Sequence, residues 1–367
     1  MKQYLDLLKD IKENGVKKSD RTGTGTISVF GRELRHKMSD GFPLLTTKRM
    51  ALKQIITELL WFLKGDTNIK YLVDNNCNIW VGDAYKNYCN HTKSNDSIWN
   101  QWMRDNGDDT FSMHTEEQFI DKIKTDDEFA KKWGELGPIY GKQWTDWGGY
   151  YKKVEKRLHD NKIPTTQFSD EKVSGINQIQ VLINTLKTNP DSRRLLVNAW
   201  NVSDIDKVIL PPCHYGFQCY TTEMNKTERY YKWLDHQKIH HLEDTGMSSE
   251  GAMQHYNFPI RKLSLKFNMR STDVPLGLPF NIASYALLLE MLSLECNMIS
   301  DELIVSLGDA HIYLNQIDGI SEQITREPFD LPKLTINKRN TINEYQIDDF
   351  KIVDYKYHPT IKIQLSN

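Results

Sequence analysis

Two consecutive prolines followed directly by a cysteine, Pro211-Pro212-Cys213, constrain this chain more than any other feature of its sequence. They follow a short hydrophobic run that we interpret as a strand, and they open a decapeptide that ends at Tyr220. Proline fixes φ and lacks an N–H, so neither a helix nor a central strand continues through this pair. The sequence therefore predicts a rigid bend that aims the Cys213 thiol into a cleft. The alternative is a buried structural cysteine, which is the commonest role of a free thiol.

Arginines on both sides of this stretch change the balance between the two alternatives. Arg193 and Arg194 precede it, and Arg270 follows it in Arg270-Ser271-Thr272-Asp273. A nearby guanidinium lowers the pKa of a thiol and makes it a better nucleophile. The pattern therefore favours a reactive Cys213.

Composition excludes several classes of function. A chain of 367 residues forms one large domain or two small ones. Its net charge of −2 gives no support for a nucleic-acid-binding surface or a polybasic membrane anchor. The five cysteines lack zinc-ligand spacing, and their odd number argues against a full disulfide framework, so we expect a reducing cytoplasm. The first residues predict a helix rather than a signal peptide, and no apolar run is long enough to cross a bilayer.

Hydrophobic periodicity predicts a mixture of helices and strands. The predicted helices cover residues 4–11, 51–64, 176–186 and 282–294, and the predicted strands cover 27–38 and 262–269. Two polar stretches interrupt this pattern, at about 84–132 and 222–259. Trp99, Trp102 and Met103 are interleaved in the first, and we expect a surface hairpin in the second. Metal binding by His236, His240, His241 and His255 is the less favoured alternative for the second stretch, because no fixed ligand spacing accompanies them.

Two charged residues, Glu58 and Arg21, each allow two interpretations. Glu58 lies on the wet face of its helix, or it is a buried carboxylate that is paired, protonated or catalytic. Arg21 is a surface charge, or it binds a phosphate beside a Thr/Gly-rich turn. From their positions alone, Asn281 is an N-cap and Tyr140 is a core residue with a satisfied hydroxyl.

Taken together, the ordered motifs resemble one enzyme family. The motifs are Asp20-Arg21-Thr22-Gly23-Thr24-Gly25-Thr26, Phe42-Pro43-Leu44-Leu45-Thr46-Thr47-Lys48, Glu58-Leu59-Leu60-Trp61-Phe62, Gly137-Pro138-Ile139-Tyr140-Gly141-Lys142-Gln143-Trp144, the Cys213 decapeptide, the Arg270 motif, Leu276-Gly277-Leu278-Pro279-Phe280-Asn281 and Gly308-Asp309-Ala310-His311-Ile312-Tyr313. Their identity and order are similar to those of the thymidylate synthases, over most of the chain outside the two polar stretches. Some longer members of that family carry a helical insertion at the place of the first stretch, so the resemblance implies helices there.

This resemblance implies a fold and a reaction. The fold would be α+β, with a mixed sheet and flanking helices in a single catalytic domain spanning residues 1–367. Two such sheets would pack back to back in a homodimer. The reaction would be the reductive methylation of dUMP to dTMP with 5,10-methylenetetrahydrofolate, which leaves as dihydrofolate, without a metal.

The resemblance also implies roles for individual residues. The catalytic residues would be Cys213, Glu58, Tyr140 and Asn281. The dUMP-binding residues would be Arg21, Arg193, Arg194, His214, Gln218, Arg270, Ser271, Asp273, Asn281, His311 and Tyr313. Arg193 and Arg194 would reach the phosphate bound by the partner subunit. The folate-binding residues would be Lys48, Trp80, Asp273, Leu276, Gly277, Phe280 and Ser366. His214 is not expected to be the base for Cys213, because neighbours on an extended chain face apart.

Three departures from the family pattern concern the folate side. They are Val81 to Tyr85 after the expected folate-stacking Trp80, the polar end Ser366-Asn367, and Ala51, where some members carry a histidine contact to folate. A poorly closed site would admit water, so a hydroxymethylase acting on dUMP or dCMP is the enzymatic alternative. A non-catalytic nucleic-acid-binding regulator is the alternative of another class.

Overall fold

Alternation of apolar and polar residues builds the central strands of the sheet. Leu263, Leu265, Phe267 and Met269 are buried on one face of a strand that runs from Arg261 to Asp273, while the intervening residues are partly exposed. This is the two-residue period of a strand with one face on the core. The prediction of a strand over 262–269 is therefore confirmed, with four further residues at its C-terminal end.

The computed structural model describes residues 1–94, 113–160, 163–240 and 247–366. The helices, in chain order, are α1 (Lys2–Asn14), α2 (Leu52–Leu63), α3 (Lys70–Asp74), α4 (Val81–Ser94), α5 (Glu116–Thr125), α6 (Asp127–Trp133), α7 (Tyr140–Thr145), α8 (Gln178–Thr188), α9 (Lys226–His240), α10 (Ser249–His255), α11 (Gly277–Glu295) and α12 (Ile317–Ile324). The strands are β1 (Val16–Lys18), β2 (Thr26–Lys37), β3 (Tyr150–Asp160), β4 (Ile163–Val173), β5 (Leu196–Asn198), β6 (His214–Glu223), β7 (Arg261–Asp273), β8 (Ile299–Tyr313), β9 (Lys333–Ile336) and β10 (Phe350–Val353).

The chain divides into two units. The first contains Met1–Leu60, Ile183–Leu196 and Cys213–Asn367, and the second contains Trp61–Leu182 and Val197–Pro212. The main sheet has the strand order β1-β2-β8-β7-β6-β5. The β7–β8 pair is parallel, whereas the β1–β2, β2–β8 and β6–β7 pairs are antiparallel. This mixed sheet with flanking helices confirms the α+β prediction.

Two helices cover the buried side of the sheet in the first unit. α1 buries the apolar residues that predicted it, from Tyr4 to Ile11, and it ends at Gly15. α11 is apolar all round and packs against β7 and β8. Within the described residues α11 is also the one helix long and apolar enough to cross a membrane, but 72% of its apolar window is buried inside the protein. Its composition therefore fits a core helix.

The N-terminus of α11 differs from the predicted one. The helix begins at Gly277, five residues before the expected start, with Pro279 in its first turn. Proline is tolerated there because the first helical N–H groups have no intrahelical acceptor. Asn281 therefore lies inside the helix, and its interpretation as an N-cap is wrong.

The second unit is rich in helices and aromatic residues. β3 and β4 form an antiparallel hairpin. Helices α4, α5 and α6 occupy the described part of the first polar stretch, which confirms its helical character there. Tyr85 and Tyr88 of α4 pack against Phe119 of α5, with ring centroids 5.5 and 5.4 Å from that of Phe119. Trp99, Trp102 and Met103 lie outside the described residues.

The second polar stretch forms helices, so the hairpin prediction is wrong. Asn225 accepts the Glu228 N–H at the start of α9, and Ser248 accepts the Gly251 N–H at the start of α10. The two helices bury a small apolar cluster of Trp233, Ala252, Met253 and Phe258. Such N-caps stabilise short helices. The polar composition of these helices makes their few apolar residues hard to recognise in the sequence. The hydrophobic run before Pro211, which we interpreted as a strand, is also not a strand. Residues 208–210 form an irregular segment that follows a 3₁₀ helix over Val202–Lys207.

Candidate active site

Cys213 lies at a bend between buried Pro212 and the first residue of β6. Its carbonyl accepts a hydrogen bond of 2.9 Å from the Arg270 N–H of β7, which fixes the bend to the sheet. Its Sγ lies 3.9 Å from Arg270 Nη2, and the side chain is partly exposed. The alternative of a fully buried structural cysteine is therefore wrong. A thiol beside a guanidinium favours the thiolate.

The residues after Cys213 leave the regular strand geometry. Pairing of β6 with β7 shifts between His214 and Gly216, so Tyr215 is the extra residue of a β-bulge. His214 is buried, and its Nδ1 lies 2.9 Å from the Tyr285 hydroxyl of α11. Burial lowers the pKa of His214 to about 3, so the imidazole stays neutral at neutral pH. It therefore supports the bend and carries no charge toward the thiol.

Glu58 lies within α2 and is buried, with 7% of its surface exposed. Its neighbour Thr57 is fully buried and satisfies its hydroxyl by donating to the Lys53 carbonyl at 2.8 Å. The interpretation of Glu58 as a residue of the wet face is therefore wrong. Burial of a carboxylate in an apolar helix costs folding free energy unless the group is paired or protonated. Retention of Glu58 at this position therefore favours a functional role.

The loop that presents Arg21 is organised by Asp20. One carboxylate oxygen accepts from the Thr22 N–H and hydroxyl, and the other accepts from the Gly25 N–H at 2.6 Å. The hydrogen bond from the Thr22 hydroxyl holds the pKa of Asp20 below its usual value. Gly25 has φ of +82°, a conformation that favours glycine. Arg21 itself is exposed on this rigid turn, where its guanidinium can meet an anion.

The end of β8 lies beside this loop. Tyr313 pairs with Thr26 of β2, and the Leu314 N–H donates to the Gly25 carbonyl at 3.0 Å. The rings of His311 and Tyr313 are 5.1 Å apart at 86°, which confirms that they lie on one side of the strand. His311 Nδ1 also lies 3.0 Å from Asp309 Oδ1. Burial raises the pKa of Tyr313, so the phenol remains a hydrogen-bond donor.

Asp273 ends β7 and faces the start of α11. Its Oδ1 accepts the Leu276 N–H at 3.0 Å, and its Oδ2 accepts Gln316 Nε2 at 2.9 Å. Burial raises the pKa of Asp273, whereas these two hydrogen bonds oppose that rise. Lys48 is buried nearby and donates to the Pro275 carbonyl at 2.6 Å. Burial lowers the pKa of Lys48 to about 8, although the charge of Asp273 acts in the opposite direction.

The first turns of α11 carry three more predicted residues. Gly277 begins the helix, and Phe280 and Asn281 are partly buried on its next turn. A Cβ added at Gly277 would lie 4.0 Å from Asn281 Oδ1, so the glycine leaves space beside the amide. Within the described part of the chain, the Asn281 side chain makes no hydrogen bond. It is therefore free to bind a ligand.

Three predicted residues lie in exposed positions of the first unit. Arg193 and Arg194 precede β5 and are exposed. Gln218 is exposed on β6, in register with Lys266 of β7. Its side chain lies on the face opposite to the buried Phe217, so the structure does not bring Gln218 to the Cys213 bend. Ser271, in contrast, is partly buried beside Asp309 in the β7–β8 register.

The second unit holds the two remaining aromatic residues. Trp80 and Tyr140 are buried, with ring centroids 6.1 Å apart in an edge-to-face arrangement. Phe62 packs on Tyr140 at 4.8 Å. Val81 and Ala84 of the altered segment are buried within α4, and the Tyr85 hydroxyl donates to the His114 carbonyl at 2.8 Å. The altered residues therefore build the packing of this unit.

Ser366, near the C-terminal end, is held by Asn315. The Asn315 Nδ2 donates to Ser366 Oγ at 3.1 Å, and Gln316 Nε2 donates to the Gln364 carbonyl at 3.1 Å. Sequence reasoning missed Gln316 and Tyr285 as members of the site. For Tyr285 the available signal was a polar hydroxyl within an apolar helix, which requires a partner when it is buried; Gln316 carried no such signal.

The metal alternative for the second polar stretch is not tested, because most of its histidines lie outside the described residues. His255 is exposed, and the side chains of His236 and His240 and all of His241 lie outside the described residues. Across the part of the chain that the structure describes, no three histidine, cysteine or acidic residues group closely enough to hold a metal ion.

Comparison with known proteins identifies the family. The family model described as thymidylate synthase matches residues 2–367. The thymidylate synthase of Mycoplasma mobile is 42% identical to the chain, over 100% of both sequences. That of Mesoplasma florum is 40% identical, over 98% of both sequences. That of Malacoplasma penetrans is 40% identical, over 99% of this chain and 98% of its own. The alignments span both polar stretches, and the names do not favour the hydroxymethylase or the regulator. The chain belongs to the thymidylate synthase family, the folate-dependent methyltransferases that convert dUMP to dTMP with 5,10-methylenetetrahydrofolate.

Proposed function

We propose that Cys213 is the nucleophile that attacks C6 of the uracil ring during the methylation of dUMP. The observation that carries this proposal is the partly exposed thiol, 3.9 Å from the Arg270 guanidinium, at a bend fixed to the sheet. Addition of the thiolate to C6 makes C5 a carbon nucleophile, which attacks the methylene group. Loss of the C5 proton and departure of the folate leave an exocyclic methylene group. Hydride from the folate then reduces this group to methyl as the Cys213–C6 bond breaks, which releases dTMP, the free thiolate and dihydrofolate.

Asn281 would identify the base. Its carboxamide can donate to O4 and accept from N3–H of uracil at the same time. The absence of a hydrogen-bond partner among the described residues leaves both functions available to a ligand. A cytosine would present a donor at position 4 and an unprotonated N3, so the same amide orientation would fail. This supports dUMP as the substrate.

Fixed cations would bind the phosphate, and the end of β8 would bind the sugar. Arg21, Arg270 and Ser271 come from one subunit, and we assign Arg193 and Arg194 to the phosphate of the partner. His311 and Tyr313 would hydrogen-bond the 3′-hydroxyl. His214 would keep the Cys213 bend in place, since it is neutral and already bonded to Tyr285.

Proton transfer and folate binding would each involve a further set of residues. Glu58 and Tyr140, with ordered water, would move the protons at C5 and O4. Asp273 would anchor the pterin through its carboxylate. The remaining folate-binding residues would be Lys48, Trp80, Leu276, Gly277, Phe280 and Ser366.

The dimer would form through one face of the sheet, which we call the open face and define by Glu33, Arg35, Gln218, Tyr220 and Lys266. Tyr220 exposes 68% of its surface, which is large for an aromatic residue. The face also carries ion pairs of 2.9 Å between Arg35 and Glu302 and 3.2 Å between Lys266 and Glu33. Burial would thus leave these charges paired. Gln218 would then serve the subunit interface.

We also propose that residues 1–367 act as a single catalytic domain in the cytoplasm. All five cysteines are free thiols, which fits a reducing compartment. The mechanism requires Cys213 to remain reduced, so an oxidising compartment would inactivate the enzyme.

Product analysis tests the proposed function directly. The protein is incubated with dUMP and 5,10-methylenetetrahydrofolate, and both products are identified. We expect dTMP and dihydrofolate in equal amounts, with neither product from Cys213→Ala. Hydroxymethyl-dUMP with tetrahydrofolate as the main products would overturn the proposal, because water would then have replaced hydride.

A further inference from the structure

Gln316 makes three hydrogen bonds to three separate parts of the first unit. It is almost fully buried, with 1% of its surface exposed. Its Oε1 accepts the Tyr313 N–H at 3.0 Å, and its Nε2 donates to Asp273 Oδ2 at 2.9 Å and to the Gln364 carbonyl at 3.1 Å. The amide therefore links the end of β8, the Asp273 carboxylate and the C-terminal segment.

The chemistry of the three partners fixes the orientation of this amide. Asp273 and the Gln364 carbonyl are acceptors, whereas the Tyr313 N–H is a donor. A flipped amide would place its oxygen against two acceptors and its NH₂ group against a donor. The three partners therefore fix which way the Gln316 amide faces, and one of these partners belongs to the C-terminal segment.

We propose that Gln316 is a positioning residue that couples docking of the C-terminal segment, residues 361–366, to the orientation of the Asp273 carboxylate. This inference rests on the proposed function, in which Asp273 anchors the folate co-substrate. Docking of the segment would thereby reach the pterin site through Gln316 and Asp273, in addition to the direct folate contact proposed for Ser366.

The docked segment is held by apolar side chains against α12 and by hydrogen bonds to Asn315 and Gln316. Ile361 is buried, and the side chains of Ile361 and Ile363 lie 3.2 and 3.1 Å from the position of a Cβ added at Gly319 of α12. Asn315 adds the hydrogen bond to Ser366. When the segment leaves, one Gln316 N–H loses its acceptor, and the side chain gains freedom to turn away from Asp273. Of its two hydrogen bonds to described residues, Asp273 would then keep the one from the Leu276 N–H.

The test is Gln316→Met, which preserves length and approximate volume but removes the donors and the acceptor. Carboxypeptidase digestion followed by intact mass measures how well the C-terminal segment is docked, and it requires no turnover. We expect digestion several-fold faster than in the wild type and a KM for methylenetetrahydrofolate raised about tenfold, which is the effect of a lost hydrogen bond to a charged group. The Kd for dUMP should stay within twofold.

Asn315→Ala is the matched control, because Asn315 contacts the segment but not Asp273. It should speed digestion with a smaller rise in the folate KM. Removal of residues 364–367 should raise the folate KM less in the Gln316→Met background than in the wild type, since the coupling is already broken. Additive effects, or Gln316→Met digestion and folate KM at wild-type values, would overturn the inference.

A second variant covers the case in which Gln316→Met does not fold. Gln316→Asn keeps the amide but is one methylene too short to meet both acceptors, so the same direction of change is expected. A folded Gln316→Asn protein with wild-type digestion would refute the coupling. Formation of dTMP by the wild type tests the proposed function separately, because the digestion result does not depend on the reaction.

Discussion

The Cys213 bend and the α4 region differ in the kind of interaction that a substitution would remove. At the bend, Arg270 meets the thiol as a fixed charge at a defined distance. Around Tyr85 and Tyr88, several rings share one packed cluster, and no single pair dominates. Charge placement tolerates little variation, whereas aromatic packing accepts many combinations of similar volume. The altered segment Val81 to Tyr85 lies in the region that is stabilised by packing and not by a placed charge.

The largest expected effect is that of Cys213→Ala. Loss of the nucleophile should reduce kcat by more than about 10³-fold, because covalent activation of C6 has no substitute. Binding of dUMP should persist, since Arg21, Arg270 and Asn281 are unchanged. Single-turnover assays and dUMP titration measure the two effects. Turnover within tenfold of the wild type would contradict the assigned mechanism.

The next effect tests whether the fixed charges at the bend include residues of a second subunit. Cys213→Ala chains and Arg193→Ala/Arg194→Ala chains should each be inactive alone. Random re-association should restore about a quarter of the wild-type activity, because half of the dimers are mixed and each has one intact site of two. Tagged purification confirms that mixed dimers form. If these dimers are present and inactive, the arginines do not act across the interface.

A smaller effect concerns the pH dependence of stability at Lys48, a buried charge. Burial lowers its pKa from the ordinary value of 10.5 to about 8, so between these values the unfolded state binds more protons than the folded state. Stability relative to Lys48→Met should therefore rise as pH increases from 8 to 10.5, by up to about 3 kcal/mol. Denaturant unfolding of both proteins at pH 7.5 and 10 measures the change. Parallel pH profiles for the two proteins would mean that Lys48 keeps an ordinary pKa.

The smallest effect is expected at Tyr85, in the region built by packing. Tyr85→Phe removes only the hydroxyl that donates to the His114 carbonyl, which should cost about 1 kcal/mol of stability. The KM for methylenetetrahydrofolate should stay within twofold, since the ring remains in its cluster. A tenfold rise in that KM would place Tyr85 in the folate site and remove the contrast between the two regions.

Prediction from the sequence succeeded where one face of an element is buried. The apolar residues of α1 and the alternation from Leu263 to Met269 each repeat with the period of their element. Helices α9 and α10 were missed because few residues, among them Trp233 and Met253, contact their small core. The N-cap residues Asn225 and Ser248 were the sequence features that could have indicated where these two helices begin.

The site was predictable to the extent that its residues lie in short ordered motifs. Cys213 and Asp273 are recognisable with their immediate neighbours. The role of Gln316 was not predictable, because two of its three hydrogen-bond partners, Asp273 and Gln364, lie 43 and 48 residues away in the sequence. Its burial, which forces the choice of partners, appears only when the chain is folded.

At the β-bulge, the presence of one extra residue matters more than the side chain that Tyr215 carries. His214 pairs with Met269 and Gly216 with Asn268, so the ladder would close without Tyr215 and the apolar face would keep its partners. The extra residue bends and twists the strand just after Cys213. A deletion there would spare the core yet turn the thiol to a new direction, whereas many side chains would fit a position that is 38% exposed. Evolution can thus exchange the residue at this point freely, but it cannot shorten the chain there.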